Sequence, residues 1–178
     1  MDTINSNVLV VGGGVIGLSI AANISECGYE TILVEKNINL AEEVSARNSG
    51  VIHAGFYYPK NSLKSKFCNS GNKLIYDYCE KNNIYNKKTG KILVSKNKES
   101  VDIFKKYIDN AKHINAQPLS IVGKTEIQKI EPNVEANYGL FSPETGILDV
   151  HSYASSLENK VINNEGLISL NSYLKNTK

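Results

Sequence analysis

Three glycines near the N-terminus have the spacing of a nucleotide-binding turn. Gly12, Gly14 and Gly17 form the pattern G-x-G-x-x-G, which follows an apolar run at 8–11 and opens a segment of small and apolar residues at 15–27. This context predicts a strand, a tight turn and a helix whose free N–H groups bind a pyrophosphate. A glycine turn in an unrelated α/β protein is the alternative interpretation.

An acidic residue completes the signature of a dinucleotide site. Glu35 follows a second apolar run, at 31–34, and therefore stands at the end of the second strand of a predicted β-α-β unit. A carboxylate at this place accepts hydrogen bonds from ribose hydroxyls, and it repels a 2′-phosphate, which argues against NADP. The unit alone leaves FAD and NAD as alternatives.

A second segment, at 45–58, brings polar groups together with a histidine. Its serines, asparagine and glycine can donate to phosphate and flavin polar atoms without adding charge. His53 has three interpretations. It is a catalytic or flavin-tuning imidazole, since a histidine near pH 7 can accept a hydroxyl proton; or it orients the loop through hydrogen bonds; or it is a structural neighbour of Tyr57 and Tyr58.

These segments resemble the cofactor segments of the D-amino-acid-oxidase-like FAD-dependent oxidoreductases. Within that superfamily, the stretch at 48–58 is most similar to the L-2-hydroxyglutarate dehydrogenase/oxidase branch. The resemblance continues, in the family's order, through 62–68, 78–79, 90–92 and 145–149. It covers nearly the whole chain and implies FAD rather than NAD.

The resemblance implies roles for individual residues. His53 would lie beside the flavin ring, and of the three interpretations above the catalytic one makes it the candidate catalytic residue. FAD is expected to be noncovalent, although a histidine at a comparable place carries the flavin covalently in some relatives. The chain near its end resembles the strand that meets the adenine, which implies a contact from Leu174. No metal site is predicted. The predicted cofactor-binding residues are Gly12, Gly14, Val15, Ile16, Gly17, Glu35, Lys36, Ser45, Asn48, Ser49, Gly50, Val51 and Leu174.

The resemblance also implies a reaction. Hydride would pass from the C2–H of an L-2-hydroxy acid, with L-2-hydroxyglutarate as the first choice, to flavin N5, and the electrons would continue to a quinone or to oxygen. Glycerol 3-phosphate and an amino acid are alternative substrates. The alternative to an enzyme is a non-catalytic dinucleotide-binding remnant, or one half of a split flavoenzyme.

The fold class predicted around these segments is α/β. A Rossmann-like FAD-binding β-α-β belongs to a first segment at 1–82, part of an inserted α+β substrate domain occupies 83–147, and 148–178 returns to the FAD-binding domain. The resembling enzymes are roughly twice as long, about two domains by size, so the C-terminal half is predicted to be missing.

Two helices are predicted from their first residues. Ser62 can cap a helix that runs to about Lys81, and Asp149 can cap another. The first helix carries its apolar side chains on one face, namely Leu63, Phe67, Leu74 and Tyr78.

Composition excludes several classes of protein. The 178 residues carry a formal charge of +2, and Arg47 is the only arginine, so nucleic acid is not predicted as a partner. Three cysteines without C-x-x-C spacing predict neither a disulfide framework nor a zinc site, and they favour a reducing cytoplasm. No apolar run approaches the ~20 residues that span a bilayer; peripheral contact with the inner membrane through parts outside this chain stays open.

Overall fold

The computed structural model describes residues 4–116 and 118–175, and the chain forms two compact units. The first unit comprises 1–49 and 149–178, and the second comprises 50–148. Contacts divide the chain at residue 49, whereas the sequence placed the first boundary at residue 82. The division into compact units does not identify the residues that bind a cofactor. The assignment of residues 50–82 to an FAD-binding domain therefore stays a prediction.

Strands and helices alternate along most of the chain. In chain order the elements are β1 (Val8–Val11), α1 (Val15–Glu26), β2 (Thr31–Val34), β3 (Val51–Ile52), α2 (Leu63–Lys81), β4 (Asn86–Lys87), β5 (Lys91–Ser95), α3 (Ser100–His113), β6 (Ser120–Gly123), α4 (Lys124–Ile130), β7 (Tyr138–Ser142), β8 (Gly146–Leu148), α5 (Val150–Asn163) and β9 (Leu167–Ser169). Among the described residues, none of the helices has both the length and the apolar composition that a membrane-spanning segment needs.

The first unit is a parallel three-stranded sheet with helices on one face. Strand β2 lies between β1 and β9, and both pairings are parallel, which confirms the predicted β-α-β. Val10 and Leu33 are buried, whereas Leu9 and Val11 on the opposite face of β1 are exposed. Parallel strands point their carboxyl ends to the same edge of a sheet, so the loops that follow β1, β2 and β9 gather there.

The second unit contains two antiparallel sheets, in the orders β3-β8-β4 and β5-β7-β6. Phe56, Phe104 and Leu140 belong to one core cluster of this unit. Strands β3, β4 and β8 have only two or three residues, and the sequence pattern did not predict them as strands. Their pairing partners are far away in the chain, as for Val51 with Ile147, and such pairing leaves no local pattern.

Helix α2 begins and ends as predicted, but its apolar stripe is not its packed face. The Ser62 hydroxyl accepts a hydrogen bond from the Ser65 N–H at 3.1 Å and caps the helix. Leu63, Phe67 and Leu74 are each at least 60% exposed. The buried residues are Ser65, Tyr76 and Cys79. Hydrogen bonding contributes to this choice of face, because the Tyr76 hydroxyl donates to the Glu144 carbonyl at 3.2 Å.

Candidate functional site

The glycine turn between β1 and α1 requires its glycines for two different reasons. Gly12 has φ of +103°, a conformation that side-chain-bearing residues rarely adopt, and its N–H donates to the Val34 carbonyl at 2.8 Å. A Cβ on Gly17 would overlap the Gly12 carbonyl oxygen. The helix therefore starts in direct contact with the strand end, as the motif predicts.

The N-terminus of α1 has N–H groups available for an anion. The Ser45 hydroxyl accepts a hydrogen bond from the Val15 N–H at 3.0 Å. In the described part of the chain, neither the Gly14 N–H nor the Ile16 N–H has a hydrogen-bond acceptor. Free N–H groups and the positive end of the helix dipole attract phosphate oxygens. This donor set fits the pyrophosphate of a dinucleotide.

Glu35 is buried at the end of β2 beside the glycine turn. Its Oε2 accepts a hydrogen bond from the Gly13 N–H at 2.6 Å, and its Oε1 accepts one from the Asn37 N–H at 2.9 Å. A carboxylate has about four acceptor positions, so both oxygens can also accept ribose hydroxyls. The backbone N–H of Glu35 donates to Ser169 in β9, which ties the loops of two strands together. The carboxylate therefore fits the adenosine ribose of a dinucleotide.

The other predicted cofactor residues of the first unit are exposed or engaged within their own loop. The Lys36 ammonium forms an ion pair with Glu43 at 2.6 Å. The Asn48 side chain donates to the Ser45 carbonyl at 2.6 Å, and Ser49 and Leu174 are exposed. Gly50 and Val51 belong to the second unit. Roles in FAD binding stay predictions for all of these residues.

A cleft of about 620 Å³ lies in the first unit between the loop at 39–48 and helix α5. Ser45, whose hydroxyl accepts the hydrogen bond from the Val15 N–H, also lines the cleft, together with His151 and Glu158 of the helix. His151 lies two residues after the Asp149 cap, and no motif in the sequence marks it as a residue of a cleft. One helix face brings His151 and Glu158 to the cleft, because residues seven apart lie on the same side of a helix.

His53 in the second unit is held on its backbone and on its ring. Its carbonyl accepts hydrogen bonds from the Asn72 amide at 3.1 Å and from the Cys68 thiol at 3.4 Å. Its Nδ1 lies 2.9 Å from the Tyr57 hydroxyl. With Nδ1 as the donor to this hydroxyl, Nε2 carries the lone pair that accepts a proton.

Positive charges surround the His53–Tyr57 pair. The Lys91 ammonium lies 4.8 Å from the centre of the Tyr57 ring, and the Lys64 ammonium lies 4.7 Å from that of Tyr58. Partial burial lowers the pKa of the His53 imidazole, and the charges of Lys91 and Lys64 lower it further. Burial, followed by the hydrogen bond with Tyr58, raises the pKa of the Tyr57 hydroxyl. At neutral pH the pair is therefore an uncharged imidazole and a protonated phenol.

We expect His53 to titrate below the ordinary histidine value of about 6.5 in a ¹H–¹⁵N NMR titration of the imidazole. Lys91→Met should raise the pKa of His53, because it removes one of the positive charges that lower it. Lys105→Met is the matched control, since Lys105 is exposed and paired with Asp102 at 3.2 Å. A His53 pKa at or above 7, or one that Lys91→Met leaves unchanged, would contradict this electrostatic account.

Comparison with known proteins identifies the family. Residues 7–175 match the sequence profile described as FAD dependent oxidoreductase. The chain belongs to this family. L-2-hydroxyglutarate dehydrogenase, mitochondrial, of Arabidopsis thaliana is 37% identical over 158 residues, which are 86% of this chain and 32% of that protein. The protein of the same name from Dictyostelium discoideum is 33% identical over 97% of this chain and 41% of its own length.

Solved structures of oxidoreductases share this fold. L-alpha-glycerophosphate oxidase from Mycoplasma pneumoniae with FAD bound has a TM-score of 0.91 and 27% identity, over 98% of this chain and 47% of that one. L-proline dehydrogenase from P. horikoshii has a TM-score of 0.86 at 20% identity, which shows the fold alone. Family membership confirms the α/β fold class and FAD as the cofactor. The chain spans between about a third and two fifths of the length of these curated relatives.

Proposed function

We propose that this chain takes part in the FAD-dependent oxidation of L-2-hydroxyglutarate to 2-oxoglutarate. The observation that carries the proposal is the His53–Tyr57 pair at 2.9 Å, with an imidazole whose pKa is lowered by burial and by the charges of two lysines. An oxidation of C–OH to C=O must remove a hydroxyl proton, and a neutral histidine is suited to accept it. The curated relatives named L-2-hydroxyglutarate dehydrogenase support this choice of substrate.

Different residues of the chain would bind the cofactor and accept the substrate's proton. The glycine turn and α1 N-terminus would hold the pyrophosphate of FAD, and Glu35 would hold its adenosine ribose. Bound FAD would supply the acceptor for the hydride that leaves C2. His53 Nε2 accepts the hydroxyl proton of the substrate, and the C2–O bond becomes a carbonyl. When Nδ1 carries the ring proton, Tyr57 accepts the hydrogen bond of Nδ1–H, and this keeps the imidazole in the tautomer that the step needs.

The first test is whether the chain binds flavin. We expect the purified chain to show flavin absorbance, and acid precipitation to release that flavin into the supernatant, because binding is proposed to be noncovalent. A yellow pellet would indicate a covalent link instead, with His53 as the first residue to test. A folded but colourless chain would contradict FAD binding by these residues and favour a remnant or one half of a split enzyme.

The second test is turnover with an artificial electron acceptor. We expect oxidation of L-2-hydroxyglutarate in preference to its D-enantiomer, and we expect His53→Asn to lower kcat about 10²–10⁴-fold, the usual contribution of a general base. His113→Asn is the matched control, since His113 lies at the end of α3. Turnover that survives His53→Asn would exclude His53 as the base. The electron acceptor, quinone or oxygen, and the cytoplasmic location stay predictions.

Glycerol 3-phosphate is the second candidate substrate. Its support is the TM-score of 0.91 to a glycerophosphate oxidase. Comparison of kcat/KM for L-2-hydroxyglutarate, glycerol 3-phosphate and an amino acid decides among the candidates. Turnover of either of the last two without turnover of the first would reject the substrate proposed here.

A further inference from the structure

Two lysines beside His53 have no acidic partner. Lys64 and Lys91 form no ion pair with any described residue, and the charged groups that act on His53 are these two lysines. Five lysines of the described part are paired with a carboxylate, namely Lys36, Lys88, Lys105, Lys112 and Lys160, and most of the others, like Lys64 and Lys91, are not. What distinguishes Lys64 and Lys91 is that their charges act on His53. The surroundings of His53 therefore carry an uncompensated positive charge.

The tyrosines that hold these lysines are fixed by the core of the second unit. Phe56 is buried, and its ring meets that of Tyr57 edge to face at 4.9 Å. The Tyr57 and Tyr58 ring centres are 4.7 Å apart. The Asn110 side chain donates to the carbonyls of Phe56 at 2.6 Å and of Tyr58 at 2.9 Å. The segment is thus tied to α3, and its two rings are held in place before any ligand binds.

The groups around this segment are donors that suit a carboxylate. An ammonium group has three N–H donors and no acceptor, and its hydrogen bonds to carboxylate oxygens are strengthened by charge. The alternative role for Lys64, which is exposed on α2, is that of a surface lysine whose ammonium contacts only solvent. Lys66, two residues further on, is such a surface lysine, since its ammonium lies 5.8 Å from the centre of the exposed Phe67 ring. Lys64 differs because it lies over Tyr58 and acts on His53.

We propose that Lys64 and Lys91, supported by Tyr57 and Tyr58, form a carboxylate-binding site beside His53 that selects hydroxy acids with a second carboxylate. The site rests on the proposed function for its place in catalysis, because it would hold a dicarboxylic substrate while His53 accepts the proton. A bound carboxylate also compensates the positive charges that act on the imidazole. Binding of a dicarboxylate should therefore make His53 easier to protonate.

The probe is glutarate, a dicarboxylate that lacks the reacting hydroxyl and so needs no turnover. We expect glutarate to perturb the His53 imidazole signals of the labelled chain and to raise the pKa of His53, with butyrate binding more weakly. Lys64→Met and Lys91→Met should each weaken glutarate binding about tenfold or more, the loss of one charge-assisted contact. Lys64→Arg and Lys91→Arg should retain binding, which separates charge from folding.

Lys66→Met is the matched control, because it removes a lysine from the same helix outside this cluster, and it should bind glutarate like the original chain. Equal glutarate affinity in the original chain and in both methionine variants, or no glutarate binding by the original chain, would overturn the proposal. These outcomes are independent of turnover. If both methionine variants oxidise L-2-hydroxyglutarate with an unchanged KM, the proposed function stands and the carboxylate site is rejected. If the chain binds glutarate but shows no turnover, the carboxylate site stands and the proposed function is rejected.

Discussion

Gly17→Ala is expected to destabilise the first unit and to abolish flavin binding. The added Cβ would overlap the Gly12 carbonyl oxygen, and this neighbour is backbone and cannot rotate away. Helix α1 must then shift away from β1, and the N–H groups at its N-terminus move with it. Overpacking of this kind costs about 1–3 kcal/mol. Thermal unfolding followed by circular dichroism measures the loss of stability, and flavin absorbance measures the loss of the cofactor.

Gly71→Ala is the matched control for this substitution. Gly71 lies within α2, and a Cβ there would meet nothing within 4 Å. Alanine is favoured over glycine in a helix by about 1 kcal/mol, so this variant should melt at the same temperature as the original chain or higher. Equal stability and equal flavin binding in Gly17→Ala and the original chain would show that helix and strand do not meet as described.

Glu35→Gln is expected to weaken both the first unit and its hold on FAD. The Glu35 carboxylate accepts hydrogen bonds from two backbone N–H groups, those of Gly13 and Asn37. An amide has one acceptor oxygen, so its NH₂ group would face one of these donors. Leaving a buried donor without an acceptor costs about 1–3 kcal/mol. Chemical denaturation measures this loss, and flavin affinity should fall about tenfold or more, as expected when an acceptor for the ribose is lost.

Glu30→Gln provides the comparison for Glu35→Gln. Glu30 is exposed just before β2, so the same change of charge occurs without the loss of a buried acceptor. We expect its stability and flavin affinity to equal those of the original chain. If both glutamine variants behave alike, the effect of Glu35 is one of overall charge and not of its hydrogen bonds.

Local patterns were sufficient for the dinucleotide unit and the helix ends. The G-x-G-x-x-G spacing, the apolar runs on either side of it and Glu35 predict the β-α-β, because turn, strand and helix each depend on residues close together in the chain. Ser62 and Asp149 cap their helices as expected, since a cap uses N–H groups only two or three residues away. The resemblance carried by the segment at 45–58 added FAD, which family membership confirms.

Long-range packing determined the features of the fold and of the site that local sequence patterns did not predict. The packed face of α2 and the short pairing of β3 with β8 depend on partners far along the chain, which no local period records. The surroundings of His53 are the main example for function. Lys64 and Lys91 are ordinary lysines in the sequence, and they become a cluster because the fold places both over the Tyr57–Tyr58 pair. Electrostatic interaction depends on distance in space, so the lowered pKa of His53 and the carboxylate site proposed beside it come from the folded chain.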